Sequence, residues 1–152
     1  MYRRFVITLC ILLASAAYAQ KAAAAPKNIG SVYTKKMVGG LFVRADLGVV
    51  RALTLTLPAG NFAVSAKIMF ANGSSAPYQA AGCSLISSLS TLEIDKAYVR
   101  LDGGQVAMLP MIGTVSSDAP FTVSIDCTSD AIDGQVELGT LIAISVPAIN
   151  TQ

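Results

Sequence analysis

The segment 51-RALTLTLPAGNFAVSAKIMF-70 carries the clearest structural pattern of the chain. Two runs in which apolar and polar residues alternate flank Pro58-Ala59-Gly60-Asn61, a composition typical of a tight turn. Every second residue from Leu53 to Leu57, and again from Phe62 to Phe70, is apolar. Because side chains of a strand point alternately to its two faces, the segment predicts a β-hairpin with one buried face.

The remainder of the chain after residue 30 continues in the same style, with short alternating runs separated by turn residues and no helical period. Further strand candidates lie at 32–34, 41–44, 83–87, 92–94 with 97–101, 105–115, 121–127 and 136–146. Pro110 is expected on an edge strand or at a bulge, since proline cannot donate to a sheet, and Gly139 is expected to mark a bulge. The pattern predicts an all-β fold, a two-sheet antiparallel β-sandwich of jelly-roll type.

The first nineteen residues are typical of a secretory signal peptide. Arg3 and Arg4 precede a short apolar run, which is followed by the small-residue site Ala17-Tyr18-Ala19. We expect a signal peptide at 1–19, a flexible arm or linker at 20–30 and a β-sandwich domain at 31–152. The expected location is secreted, periplasmic or at the cell surface, without membrane insertion after cleavage.

The charge balance argues against a polyanionic partner. The chain has 11 basic and 9 acidic side chains, and loss of Arg3 and Arg4 with the signal peptide leaves equal numbers of each. A nearly neutral surface provides no electrostatic footprint for nucleic acid, and it offers little repulsion between copies. We therefore expect no nucleic-acid partner and a homo-oligomer.

Two cysteines, Cys83 and Cys127, follow the predicted signal peptide, which contains Cys10. A pair of cysteines in a small exported domain predicts one disulfide, with two free thiols or a metal-binding pair as alternatives. Cys127 shares parity with Phe121, Val123 and Ile125, so its sulfur is expected in the core. Closing a loop of 44 residues would stabilise the fold by about 4 kcal/mol on the chain-entropy model.

The chain contains neither histidine nor tryptophan. This composition excludes serine-histidine and cysteine-histidine nucleophile systems and histidine metal sites. Carboxylates occur in two groups, Glu93 with Asp95 and a set at 126–137, and both are interpreted as solvated acids. A calcium site at 126–134 is weighed against a turn that uses aspartate for its geometry, and the turn is favoured. No metal, cofactor, ligand or catalytic residue is predicted.

The motif Leu57-Pro58-Ala59-Gly60-Asn61-Phe62, followed by Val64, Ala66 and Lys67, belongs to a wider pattern that includes both strand cysteines and the terminal run 141–146. This pattern resembles small exported bacterial β-sandwich domains related to the tumour necrosis factor and complement-head jelly rolls. The resemblance implies about eight to ten strands, frequent trimers and a role as a surface, spore-coat or secreted interaction module.

We expect a non-catalytic structural or binding module that self-associates, and an oligomer face in the apolar run that precedes and follows Pro110. The predicted face comprises Val106, Met108, Leu109, Met111 and Ile112. One alternative is a pilus or fimbria-type subunit assembled by strand donation, with residues 20–35 as the donor arm. The other is a carboxylate-based glycosidase.

Overall fold

The computed structural model describes residues 30–73, 79–90, 93–130, 133–147 and Ile149. The predicted signal peptide and residues 20–29 of the predicted arm lie outside these residues. The described chain forms eight strands and one turn of 3-10 helix at Ala45–Leu47. The strands are β1 (Val32–Phe42), β2 (Val50–Leu57), β3 (Gly60–Asn72), β4 (Gln79–Ser87), β5 (Glu93–Leu101), β6 (Val106–Ser117), β7 (Phe121–Ser129) and β8 (Gly134–Val146).

The strands form two four-stranded sheets, in the orders β1-β8-β3-β6 and β2-β7-β4-β5. Every pair of neighbouring strands is antiparallel. These interleaved orders are those of a jelly roll, in which two Greek keys wrap around one core. The predicted all-β, two-sheet antiparallel sandwich of jelly-roll type is confirmed.

The predicted hairpin at 51–70 is wrong in its pairing, although both of its strands exist. β2 pairs with β7, whereas β3 pairs with β6 and β8 in the other sheet. The link at Pro58-Ala59 therefore carries the chain across the sandwich, and Gly60, at φ 146°, begins the second strand. The apolar sides of both strands face one core from opposite sheets. Their sequences therefore alternate between apolar and polar residues just as those of two paired strands in a hairpin would.

The two strand candidates at 32–34 and 41–44 form the single strand β1. Gly39 adopts φ 110°, which glycine adopts without strain, and the pairing with β8 shifts between Val38 and Leu41. The pairing of β8 with β3 skips Glu137, which lies between Val136 and Leu138. The bulge expected at Gly139 therefore occurs two residues earlier. Gly139 is instead a point of close packing, where an added Cβ would lie 2.9 Å from Leu53 Cδ1.

The core lies between the sheets and is built from the inward-facing residues of all eight strands. Phe62 is buried in this core, with ring centroids 5.7 Å from Tyr33 and 5.9 Å from Phe121, both in edge-to-face geometry. Cys83 and Cys127 form a disulfide whose sulfurs are buried in this core, as predicted. Pro110 lies on β6, an edge strand of its sheet, which is also as predicted.

Candidate assembly surface

The outer face of sheet β1-β8-β3-β6 is formed by the side chains that alternate with the buried ones, and cross-strand pairing arranges them in rows. Each row contains one residue from every strand. In the order β1, β8, β3, β6, the rows are Val32, Ile144, Ala63 and Thr114; Thr34, Ile142, Ser65 and Ile112; Lys36, Thr140, Lys67 and Pro110; and Val38, Leu138, Met69 and Met108. We call these four rows the apolar face.

The apolar face contains half of the exposed large hydrophobic side chains of the described residues, namely Val32, Val38, Met108, Ile112, Leu138 and Ile144. Val38 is 85% exposed and Ile112 is 72% exposed, and the row of Val38 is apolar across all four strands. The charged residues of the four rows are Lys36 and Lys67, and no carboxylate accompanies them. The row of Lys36 and Lys67 divides the face into two apolar regions, and exposed apolar regions of this kind are typical of interaction surfaces.

The outer face of sheet β2-β7-β4-β5 is polar and internally paired. Arg51 binds Asp126 on the neighbouring strand through two hydrogen bonds, Nε to Oδ1 at 2.8 Å and Nη2 to Oδ2 at 2.9 Å. The hydrogen bond and the charge of Asp126 raise the pKa of Arg51. On the next two strands of this sheet, Ser84 of β4 lies beside Asp126, and Lys96 of β5 lies beside Ser84. This face therefore directs charged and polar groups to solvent, in contrast to the apolar face.

Glu93 lies at the centre of the polar network near the edge of the second sheet. Its Oε1 accepts a hydrogen bond from Ser84 Oγ at 2.7 Å and lies 2.9 Å from Lys96 Nζ. These contacts, that of Ser84 first, lower the pKa of Glu93. Lys96 also lies 5.0 Å from the centroid of the Tyr98 ring, and its pKa is raised by Tyr98 and Glu93. The Glu93 carboxylate is thus held in its charged form by surface partners.

The oligomer face predicted from the sequence is only partly compatible with the structure. Val106, Met108 and Ile112 are exposed on the outer side of β6. Leu109 and Met111 are buried in the core, at 3% and 2% exposure, so their assignment to an exposed face is corrected. The reason is the period of two in a strand, which directs neighbouring residues to opposite sides of the sheet.

Sequence reasoning missed most of the apolar face because its members lie far apart in the chain. Val38, Leu138 and Met69 complete the row of Met108, and they come from three other strands. In the sequence of each of these strands, apolar residues also occur at positions that alternate with the core residues. These apolar residues were the signal that could have indicated the face. The pairing register that makes them neighbours was not predicted.

The free edge of β6 is closed by two features. Pro110 has no backbone N–H, and the N–H of Ile112, two residues later, donates to Asp95 Oδ2 on β5 at 2.8 Å. Asp95 also accepts the backbone N–H of Lys96 through Oδ1 at 2.8 Å. The two outward donor positions of this part of β6 are therefore unable to pair with an added strand.

The carboxylates considered for catalysis or calcium binding have structural partners. Asp126 binds Arg51, Asp130 Oδ1 accepts the N–H of Ala80 at 2.6 Å, and Glu93 and Asp95 bind different groups on different sides of β5. Among the described residues, no cluster of three or more acidic or cysteine side chains is arranged to hold a metal ion. Two residues of the considered calcium segment, 131 and 132, lie outside the described chain.

Cys83 and Cys127 are directly opposite each other in the antiparallel pair β4–β7, and their Cα atoms lie 4.1 Å apart. Both residues are completely buried. The disulfide prediction is confirmed, and the alternatives of free thiols or a metal-binding pair are wrong. The bond joins neighbouring strands of one sheet that are distant in sequence.

For the described part of the chain, no helix has the length and hydropathy needed to cross a bilayer.

No family model matches this sequence, and no curated protein is significantly similar to it. Several solved structures are similar in fold. A chain in the structure of infectious bursal disease virus, Gx strain, is similar at a TM-score of 0.55 and 12% identity, over 82% of this chain and 34% of that chain. The present chain thus spans about a third of the length of the viral chain. At this identity the likeness shows a common β-sandwich fold and nothing about function.

Two weaker similarities have TM-scores of 0.47. One is to the VP2 subviral particle of infectious bursal disease virus, at 11% identity over 76% of this chain and 32% of that chain. The other is to a structure described as Bacillus endospore appendages that form a family of disulfide-linked pili, at 9% identity over 84% of this chain and 99% of that chain. Scores below 0.5 are too low to support an inference about shared assembly. The expected relation to tumour necrosis factor and complement-head domains stays a prediction, and the confirmed relation is at the level of the β-sandwich.

Proposed function

We propose that this protein is an exported, non-catalytic structural module that self-associates at the cell surface, in the periplasm or in the extracellular medium. The observation that carries the proposal is the difference between its two outer faces. One face is a polar, internally paired network, and the other presents rows of exposed apolar side chains with two lysines. Covering the apolar face with protein removes its side chains from water, which is the principal driving force for association.

Export is supported by two independent features of the sequence and structure. Residues 1–19 have the pattern of a signal peptide, and the disulfide between Cys83 and Cys127 is the kind of bond that persists in oxidising compartments. Absence of histidine from the sequence supports a non-catalytic role, since common nucleophile and general-base systems depend on it. The proposed role is therefore that of a structural or binding module.

The resemblance to tumour necrosis factor and complement-head jelly rolls adds a trimer as one form that self-association could take. It rests on the motif at 57–67, the two cysteines and the run 141–146. Of the two other functions considered, strand donation by residues 20–35 has less support, because the residues from Val32 to Lys35 pair with β8 of their own chain. The glycosidase has less support because Glu93 and Asp95 are engaged by different partners.

The proposal predicts a molecular mass in solution greater than that of one chain. The exported protein should elute as an oligomer in size-exclusion chromatography with light scattering, and it should dissociate on dilution. Addition of moderate salt should preserve the oligomer, because apolar burial is not screened as charge pairs are. A protein that remains monomeric up to about 100 µM, where even weak specific associations are populated, would contradict self-association.

A further inference from the structure

We infer that the apolar face binds the same face of a second copy, related to the first by a two-fold axis parallel to the strands. The inference rests on the proposed self-association and specifies the surface and the symmetry. In this arrangement β1 of each copy lies over β6 of the other, and β8 lies over β3. Each row of the face then lies over the same row of the second copy, because rotation about an axis along the strands leaves position along the strands unchanged.

The two lysines distinguish this axis from the other two-fold axis that would bring the faces together. Lys36 and Lys67 lie in one row with Thr140 and Pro110. An axis parallel to the strands positions Lys36 over Pro110 of the second copy, and Lys67 over Thr140. An axis in the sheet plane but perpendicular to the strands, through this row, would position each lysine over its own equivalent. Both axes place the four lysines of the dimer in one interface row, but only the perpendicular axis sets like charges directly opposite each other, so the parallel axis is the less unfavourable of the two.

Side-chain volumes are also complementary about the parallel axis. Ile144 lies over Ala63 of the second copy, and Ile142 lies over Ser65, so a large residue meets a small one in two adjacent rows. In the row of Val38, the most exposed apolar residue of the face, Val38 lies over Met108. Methionine adapts to irregular surfaces because its side chain is unbranched and flexible. Large residues opposite small ones allow two sheets to interdigitate at the separation usual in sandwiches.

The dimensions of the face are suitable for a dimer. Four strands about 4.8 Å apart and four rows about 6.8 Å apart give a flat area on the order of 500 Å², and the accessible surface of the projecting side chains exceeds this projection. Stable interfaces bury about 800 Å² on each partner, and the neighbouring exposed residues Val106 and Phe42 extend the face toward this value. Two aligned sheets cross at about 30°, which a two-fold axis provides if the strands incline equally on either side of it.

The alternative of a continuous sheet formed through edge strands is disfavoured at β6. Pro110 provides no donor there, and the Ile112 N–H is bound by Asp95. An edge closed in this manner resists pairing with another chain, whereas the exposed side chains of the same strand remain available above the sheet. The geometry thus directs association to the face and away from this edge.

Cysteine cross-linking tests the symmetry. The exported chains are used, because removal of residues 1–19 also removes Cys10 and leaves the introduced thiols as the unpaired ones. The variant with both Val38→Cys and Met108→Cys should form covalent dimers on mild oxidation, visible on non-reducing gels. Within one chain these positions are three strand spacings apart, about 14 Å, too far for an internal disulfide. Val38→Cys alone should cross-link poorly, because the two Val38 positions of the dimer are separated by a similar distance.

Charge substitutions test the surface. Ile112→Lys and Val38→Lys should each raise the dissociation constant of the oligomer at least about tenfold, the size expected for a buried interface position. Val49→Lys is the matched control, since Val49 is similarly exposed but precedes β2 and lies outside the face. It should change the dissociation constant less than about twofold. All three positions are exposed, so circular dichroism and thermal unfolding should remain close to wild type.

The outcomes separate this inference from the proposed function. A wild-type protein that is always monomeric overturns both the inference and the proposed self-association. A wild-type oligomer that Ile112→Lys and Val38→Lys leave intact overturns the inference but retains self-association through another surface. Efficient cross-linking by Val38→Cys alone, failure of the double-cysteine variant, or a trimer that depends on Ile112 overturns the two-fold arrangement.

Discussion

Gly134, at the beginning of β8, is the residue whose small size the fold uses most directly. A Cβ atom at this position would lie 2.5 Å from the carbonyl oxygen of Val43 and 2.8 Å from Phe70 Cζ. The Val43 N–H also donates to the Gly134 carbonyl at 2.8 Å, which holds the two backbones together. Neither the carbonyl nor the buried ring can move freely, so this close approach requires glycine.

We predict that Gly134→Ala destabilises the protein by about 1–3 kcal/mol, the usual cost of overpacking, measured by urea unfolding. Gly40→Ala is the matched control, because its added Cβ would meet only the side chain of Gln135, which can rotate away. The control should cost less than half as much. Equal losses in the two variants would show that the contact at Gly134 is not the cause.

Titration of the surface carboxylate Glu93 should show the effect of Ser84 and Lys96 on its pKa. Because Ser84 and Lys96 lower its pKa in the folded state, Glu93 adds stability that is present above its unfolded pKa of about 4.3. This contribution is lost as the pH falls through the lower folded pKa. Ser84→Ala should raise the pKa of Glu93, measured by NMR of its side-chain carboxyl carbon, and Ser65→Ala in the other sheet should not. An unchanged titration in Ser84→Ala would contradict the role of the Ser84 hydroxyl.

Among the elements, strands β4 and β7 are coupled by the disulfide. They are neighbours in one sheet, but 44 residues separate their cysteines in sequence. The bond therefore restricts the unfolded chain across β5 and β6, the two strands that lie between them in the sequence. Its position explains how a single cross-link can stabilise the association of strands from both sheets.

We predict that the double variant Cys83→Ala and Cys127→Ala loses up to about 4 kcal/mol of unfolding free energy, measured in denaturant. Alanine is preferred to serine because both positions are completely buried, and a hydroxyl there would lack a partner. As a control, a reducing agent should lower the unfolding free energy of the wild type and leave that of the double variant unchanged. Equal stability of the oxidised wild type and the double variant would contradict the prediction.

Strands β2 and β3 show which structural features an alternating pattern of apolar and polar residues can predict. Every second residue from Phe62 to Phe70 is buried, as are Leu53 and Leu57, while Leu55 is half-buried against the same core, so the two strands and their inner faces were predictable. Their pairing was not, since the same pattern suits two strands side by side and two strands facing each other across a core. The short link at Pro58-Ala59 is compatible with both connections.

For the whole molecule, the two sheets have different relations to solvent. The sheet that contains the disulfide presents an ion-paired and hydrogen-bonded face, whereas the other presents the apolar face. A nearly neutral molecule with this asymmetry has little electrostatic resistance to association and one surface that gains from it. The proposed self-association and the proposed two-fold dimer therefore depend on the assembled sandwich rather than on any one segment.

The amino-acid sequence by itself determined the strands, the parity of burial along them, and the cysteines available for a disulfide. These properties are local, since alternation with a period of two acts within a few residues. The tertiary structure decided which strands are neighbours, and with them the row from Val38 to Met108, the closed edge of β6 and the burial of Leu109 and Met111. Pairing register depends on contacts between distant segments, so the segment from Arg51 to Phe70 encodes two strands but does not encode the sheets to which they belong.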